Sequence, residues 1–304
     1  MNPMDENVPH ADPASQPGKE STPEEPLASP LAGVAADVEP PVAPAPPPPT
    51  YPEDLEITWS WPHFIVFIVF GFISLMVVQG VLASFLVPHR HMSPKDLEKY
   101  LISDPKFSIG SMLIWYATLF FFLYVTLSLL RGYSFWRCLG WRKIRPRLGE
   151  LPKNPGIYFI AGCGLSLFVA LASAQMKTPE NIPMEELFKV RETAILFMAM
   201  AVLVAPLVEE TLFRGYLYPL FARSFGIAPG IVLTGVLFGL MHGAQLGWTW
   251  GLVAMLIFVG IVFTIVRART GSVFASYLMH LGYNSLISFF AVLGTHGFTK
   301  LPGQ

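Results

Sequence analysis

The sequence predicts an all-α polytopic membrane protein of about seven transmembrane helices behind a disordered, proline-rich N-terminal tail. Three observations predict it. Of the 304 residues, 53% are hydrophobic and only 13% are charged, whereas a soluble domain carries about 25% charged residues. The mean hydropathy is +0.50. Apolar stretches near the length a bilayer demands, about 20 residues as a helix, recur along the body of the chain. A net charge of −1 without a long basic tract argues against nucleic acid as a partner and leaves the lipid bilayer as the first one. Two cysteines, Cys138 and Cys163, cannot form a disulfide framework or a cysteine-only zinc site.

The tail comes first. Residues 1–58 hold 15 of the 28 prolines and 11 acidic residues against one basic residue, Lys19. Such a segment buries too little apolar surface to offset its ordering entropy, so disorder is expected. Without a basic start, and far ahead of the first apolar stretch, it does not read as a signal peptide. Removing it leaves 19 basic and 10 acidic residues, so the body is cationic.

Candidate spans follow at 61–87, 109–130, 156–175, 193–208, 229–243, 248–267 and 272–293. The fourth and fifth are short as purely apolar runs, and the fourth is expected to continue as a helix through the polar 209–224 segment. Three parts follow the tail: N-terminal membrane helices over 59–192, a core over 193–293 and a C-terminal tail over 294–304. No internal repeat is visible. Lysine and arginine in short loops set orientation. The 131–155 loop carries Arg131, Arg137, Arg142, Lys143, Arg145, Arg147 and Lys153 against Glu150, which places it in the cytoplasm. Alternation puts the N-terminal tail on the same side and the loops 88–108 and 176–192, of mixed charge, outside.

An ionisable side chain within a span costs several kcal/mol, so it is a functional hypothesis by default. The last four spans contain Glu209, Glu210 and Arg214, then Phe238 and His242, then His280 and Asn284. Glu210 and Arg214 are four apart on one helix and can pair. Glu209 lies about 100° round the helix and stays free as a base. His280 and Asn284, also four apart, point into one site. There they can donate to a developing oxyanion, or His280 can ligate a metal while Asn284 orients it. Phe238 sits one turn below His242 and can exclude water. Read together, Glu209 with His242 activates water and His280 with Asn284 stabilises a tetrahedral oxyanion, which is peptide hydrolysis without a covalent intermediate. The bland alternatives are a salt bridge at a helix end and interhelical polar contacts.

Those motifs in that order, Glu209-Glu210-x-x-x-Arg214, Phe238-x-x-x-His242 and His280-x-x-x-Asn284, resemble the three motifs of the CPBP family, which includes the CAAX prenyl endopeptidase Rce1 and bacterial ABI proteins. The resemblance covers 193–293, about a third of the chain. It implies an intramembrane endopeptidase with a polar cavity open to the cytoplasm, acting on a peptide or lipidated protein, in prenyl-processing members a C-terminal peptide beside a prenylated cysteine. Carried over by motif, Glu209 is the base and His242 helps activate water. His280 and Asn284 form the oxyanion site, and Glu210 and Arg214 are supports. The resemblance leaves two mechanisms open: zinc held by His242, His280 and Glu209, with an open position for water, or a metal-free glutamate mechanism, which the reading favours slightly. The short loops and low-complexity tail suggest a bacterial inner membrane as the setting.

Other features carry less. His63, His89, His91 and His296 fall at span edges or in loops and are expected to be solvated. Neither cysteine has a partner that would make it a nucleophile. Two rival functions stand: a non-catalytic partner such as a bacteriocin-immunity-type protein, and a proton-coupled carrier. The sequence shows no repeated half with broken helices, the mark of many carriers. One constraint tests the site: with straight, upright helices Glu209 lies roughly 10 Å nearer the cytoplasm than His242, and tilt or a helix starting before 229 must close that gap.

Overall fold

The computed structural model describes residues 52–86, 93, 96–97, 101, 104–145, 151–176 and 183–298. The expectations for residues 1–51, His89, His91, Arg147 and the last six residues lie outside the described residues.

Every element among the described residues is helical. Helix α1 is Trp61–Leu86, and α2 is Pro105–Leu123, running on as a π-helical segment Tyr124–Leu129. A short α3, Phe135–Cys138, lies in the basic loop. Helix α4 is Pro155–Ser173. A broken helix follows: α5 Arg191–Leu203, α6 Ala205–Glu209, a π-helical segment Glu210–Leu217, and α7 Tyr218–Phe225. The chain ends with α8 Ile227–Met241, α9 Trp250–Thr270 and α10 Val273–Gly294.

Local chemistry sets the ends. Asp104 caps α2 by accepting from the Phe107 amide at 3.0 Å, with Pro105 at the first helical position. Asn154 and Pro155 do the same for α4, Asn154 accepting from Gly156 N at 3.0 Å. Both follow from a side-chain acceptor for orphan amides and a proline preset for the first turn. Gly271, at φ 64°, closes α9 in the left-handed conformation that only glycine adopts freely.

Among the described residues five helical stretches are long and apolar enough to cross a membrane: Trp61–Leu86, Pro105–Leu129, Pro155–Ser173, Arg191–Phe225 and Trp250–Thr270. The chain is an integral membrane protein. Two of the seven expected spans, α8 and α10, fall short of those two measures. Helix α8 has 15 residues, too few for a full crossing. Helix α10 has 22 residues, but His280, Tyr283, Asn284 and three serines dilute its apolar character. Both lie among the other helices, where polar groups have protein partners in place of lipid.

Close glycine contacts bring the helices of the site together. A Cβ on Gly162 would lie 1.9 Å from Met279 O, and one on Gly282 would lie 2.1 Å from Phe159 O, so α4 and α10 touch backbone to backbone. Gly235 and Gly239 press α8 in the same way against Ile261 and Ile257 of α9. In a membrane, where lipid tails are as apolar as the helices, such close approach drives association.

One end of the bundle is basic and knotted. The loop carrying Arg137, Arg142 and Lys143 packs on the α9–α10 turn, through Val273 N to Gly140 O at 2.9 Å and Ser272 Oγ to Arg142 O at 2.5 Å. The chain before α1 joins it. Arg267, fully buried, pairs with Asp54 at 2.6 Å. Leu55 is fully buried, and Trp59 stacks on Tyr216 at 5.1 Å and donates to Tyr216 O at 3.1 Å. The expected tail therefore ends too late: residues 52–58 are ordered, because the Asp54–Arg267 pair and the two apolar anchors hold them.

The glycine contacts predict a contrast. Gly282→Val should destabilise the protein by at least about 2 kcal/mol, because a side chain there meets backbone that cannot yield. Gly164→Val, with nothing within 4 Å of its Cβ, should stay within about 0.5 kcal/mol of wild type. Thermal unfolding in detergent reads both.

Candidate active site

The broken helix positions the two glutamates. Pro206 has no amide to donate, and the helix breaks at Val204, between α5 and α6. Pro219 cannot donate either, and the π-helical segment before it carries the Tyr218 amide five residues back to Phe213 O. Wider π turns of this kind gather at functional sites.

Glu210 and Arg214 pair as their spacing predicts, Oε1 to Nη1 at 2.8 Å, and both are fully buried. The guanidinium also donates from Nη2 to Gly260 O at 2.9 Å and from Nε to Thr264 Oγ1 at 3.3 Å. It lies over the Phe238 ring, 4.5 Å from its centre. No motif in the sequence marks Gly260, Phe263 or Thr264 as partners. Their only signal is a small and a hydroxyl residue four apart in an apolar helix, a pattern shared with ordinary helix packing.

Glu210 Oε1 has a second donor, His280 Nδ1 at 3.0 Å. His242 Nδ1 lies 2.7 Å from Phe238 O. A carbonyl and a carboxylate only accept, so each Nδ1 carries the proton and each neutral imidazole turns an Nε2 lone pair elsewhere. Both turn it to Glu209, whose Oε1 is 3.9 Å from His242 Nε2 and whose Oε2 is 3.8 Å from His280 Nε2. These gaps are too long for direct hydrogen bonds and fit one water between the groups. The constraint between Glu209 and His242 is met: α8 begins at Ile227, before 229, and the two side chains stand 3.9 Å apart. Phe238 packs both imidazoles, its ring 4.8 Å from His242 and 5.8 Å from His280.

Asn284 lines the same cavity but gives an Nδ2 hydrogen to Ala201 O at 2.8 Å, next to the helix break. One amide hydrogen is left for a ligand. Two expectations fall elsewhere. His63 is half-buried and not free in solvent: its ring bridges Tyr216 OH at 2.7 Å and Thr126 Oγ1 at 3.0 Å. Burial pushes the Cys138 thiol up, against a nucleophilic role.

The donor set of His242, His280 and Glu209 has the chemistry of a zinc site, with each imidazole anchored through Nδ1. Its geometry does not close. Zinc ligands bound at 2.0–2.1 Å stand roughly 3.3 Å apart in a tetrahedron, against 3.8–3.9 Å here. Among the described residues no group of three or more His, Cys, Asp or Glu side chains could hold a metal ion.

The cavity beside Glu209 measures about 290 Å³ and is mostly apolar, with Met112, Met198, Met200 and Met255 in its walls. It differs from the expected polar cavity, because the charged pair that the motifs supply is buried beside the cavity and not exposed in it.

Comparison with known proteins fits this geometry. Residues 191–286 match the family described as Type II CAAX prenyl endopeptidase Rce1-like. That stretch is an Rce1-like domain. It contains every motif residue from Glu209 to Asn284, and the first three apolar helices lie outside it. An uncharacterized 24.3 kDa protein of Escherichia coli is 28% identical over 152 residues, which are 48% of this chain and 69% of that protein. No solved structure matches the chain.

The network predicts unequal costs. Arg214→Met leaves Glu210 buried without its cation and should destabilise by about 3–5 kcal/mol. Glu209→Gln breaks no contact shorter than 3.8 Å and should melt within about 0.5 kcal/mol of wild type. Thermal unfolding of the purified variants distinguishes them.

Proposed function

We propose that this chain is an intramembrane endopeptidase that hydrolyses a peptide bond of a membrane-associated substrate with water activated by Glu209. The observation that carries the reading is the Glu209 carboxylate set 3.8–3.9 Å from two imidazole lone pairs at the wall of a cavity. A water there can donate one hydrogen to Glu209 and the other to His242 Nε2. Glu209 takes the proton as the water oxygen attacks the peptide carbon, then passes it to the leaving nitrogen. The oxyanion is met by the remaining Asn284 amide hydrogen and by His280, which takes a proton from solvent at Nε2 before the attack and donates it as an imidazolium. Glu210, 3.0 Å from His280 Nδ1, stabilises that cation.

The mechanism proposed needs no metal. The family description makes a CAAX-type prenylated peptide the first substrate to try. The setting proposed is a bacterial inner membrane, with the N-terminal tail and the 131–155 loop in the cytoplasm. A non-catalytic partner protein is the second reading. It is favoured by Asn284, whose bond to Ala201 O is the contact a purely structural residue would make.

Cleavage of quenched peptides, prenylated and unprenylated, by the protein in liposomes tests the reading. Glu209→Gln and His280→Ala should each lower kcat/KM by a factor of about 10² to 10⁴, the range of general acid–base catalysis. Asn284→Ala should cost less. Chelator should leave the rate unchanged. Full activity in Glu209→Gln sinks the assignment of the base, and loss with chelator that zinc restores sinks the metal-free mechanism.

A further inference from the structure

The space beside Glu209 lies in one half of the bundle; two cavities at the basic end, lined by loop residues such as Arg142 and Lys143, share no lining residue with it. Helix α9 shows the division along a single element. Leu252, Met255, Leu256 and Val259, from its first half, line the cavity. Its last turn carries Arg267 and Arg269 at the basic end, and from Val259 to Thr270 is roughly 16 Å of helix. Helix α10 runs the opposite way. Val273 bonds to Gly140 at the basic end, while Asn284, Ile287, Ser288 and Ala291 line the cavity.

Toward the basic end the way is closed. Arg214, Phe263, Tyr216 and Leu139 stand there, each no more than 1% exposed. Trp141 crosses from the basic loop to donate to Thr211 Oγ1 at 3.0 Å, one residue beyond Glu210. A Cβ on Gly215 would lie 2.5 Å from Leu139 O, so the loop backbone sits directly on the helix of the glutamates.

The opposite end has the features of an entrance. Gln245 lines the cavity and is exposed. Trp248 and Trp250, 50% and 65% exposed with rings 5.8 Å apart, flank it. Exposed tryptophans settle at the level of the lipid headgroups, which puts the rim of the cavity at the membrane surface. Methionine walls adapt to apolar groups of varied shape.

We propose that Glu209 is reached from the side of the membrane opposite the basic loop. Because lysine and arginine mark the cytoplasmic side, that side is extracytoplasmic. The inference rests on the hydrolase reading for its substrate class: an exported or membrane-inserted peptide that lowers an apolar side chain into the cavity from outside. It departs from the cytoplasmic opening that the family resemblance implies.

Thiol accessibility in the full-length protein tests the side directly. Gln245→Cys and Lys143→Cys are each placed in a Cys138→Ala, Cys163→Ala background and expressed in bacterial cells. Spheroplasts are then treated with a membrane-impermeant maleimide. The thiol of Gln245→Cys should be lost to the reagent in intact spheroplasts, and that of Lys143→Cys only after permeabilisation. Modification of Gln245→Cys only after permeabilisation overturns the proposal. Modification of both in intact spheroplasts, the mark of mixed insertion, overturns it equally. The readout is blind to catalysis. If Gln245→Cys is modified from outside but wild type cleaves no peptide supplied there, the access side stands and the hydrolase reading falls.

Discussion

The Glu210 carboxylate holds this site together. It is fully buried, and a charge in that position is tolerable only with partners. Its Oε1 accepts from Arg214 on its own helix and from His280 on α10. Arg214 in turn binds Gly260 and Thr264 of α9. One carboxylate thus ties the broken helix to α10 directly and to α9 through its cation. Each bond would be weak in water and is strong here because no water competes for it.

That network also assigns the neighbouring glutamate its environment. Consecutive residues on a helix point in different directions, so Arg214 pairs with Glu210 and His280 meets the two carboxylates through different ring nitrogens. The same hydrogen bond that anchors His280 fixes its tautomer and turns its lone pair to Glu209. Phe238 O does the same for His242. Glu209 is left facing two acceptors across gaps that fit one water. An ion pair with no reactive part of its own creates this polarity.

A second set of contacts stabilises the segment from the basic end. Tyr216, two residues past Arg214, receives Trp59 by stacking and by a hydrogen bond, and His63 bonds to its hydroxyl. Asp54 and Arg267 lock the chain before α1 to the end of α9. The wide π turns that set the angle between the two glutamates are therefore buttressed by helices outside the family-matched stretch, which gives the first part of the chain a structural reason to exist.

The sequence by itself determined the helical class, the membrane setting, the Glu210–Arg214 pair and which motif residues meet around one cavity. These follow from composition and from spacing within one helix, where i and i+4 neighbours are fixed by geometry. Only the tertiary structure decided the rest. The link from Glu210 to His280 spans 70 residues, and its donor and acceptor are set by how α10 packs, which no local pattern records. The ordering of 52–58 depends on Arg267, more than 200 residues away, and a polar, proline-rich composition alone reads as disorder. His63 reads as solvated until Tyr216 and Thr126 are placed beside it. The short span of α8 and the diluted span of α10 count as membrane crossings by apolar content alone. What apolar content does not record is the packing that gives their polar groups protein partners, as for His280 and Asn284.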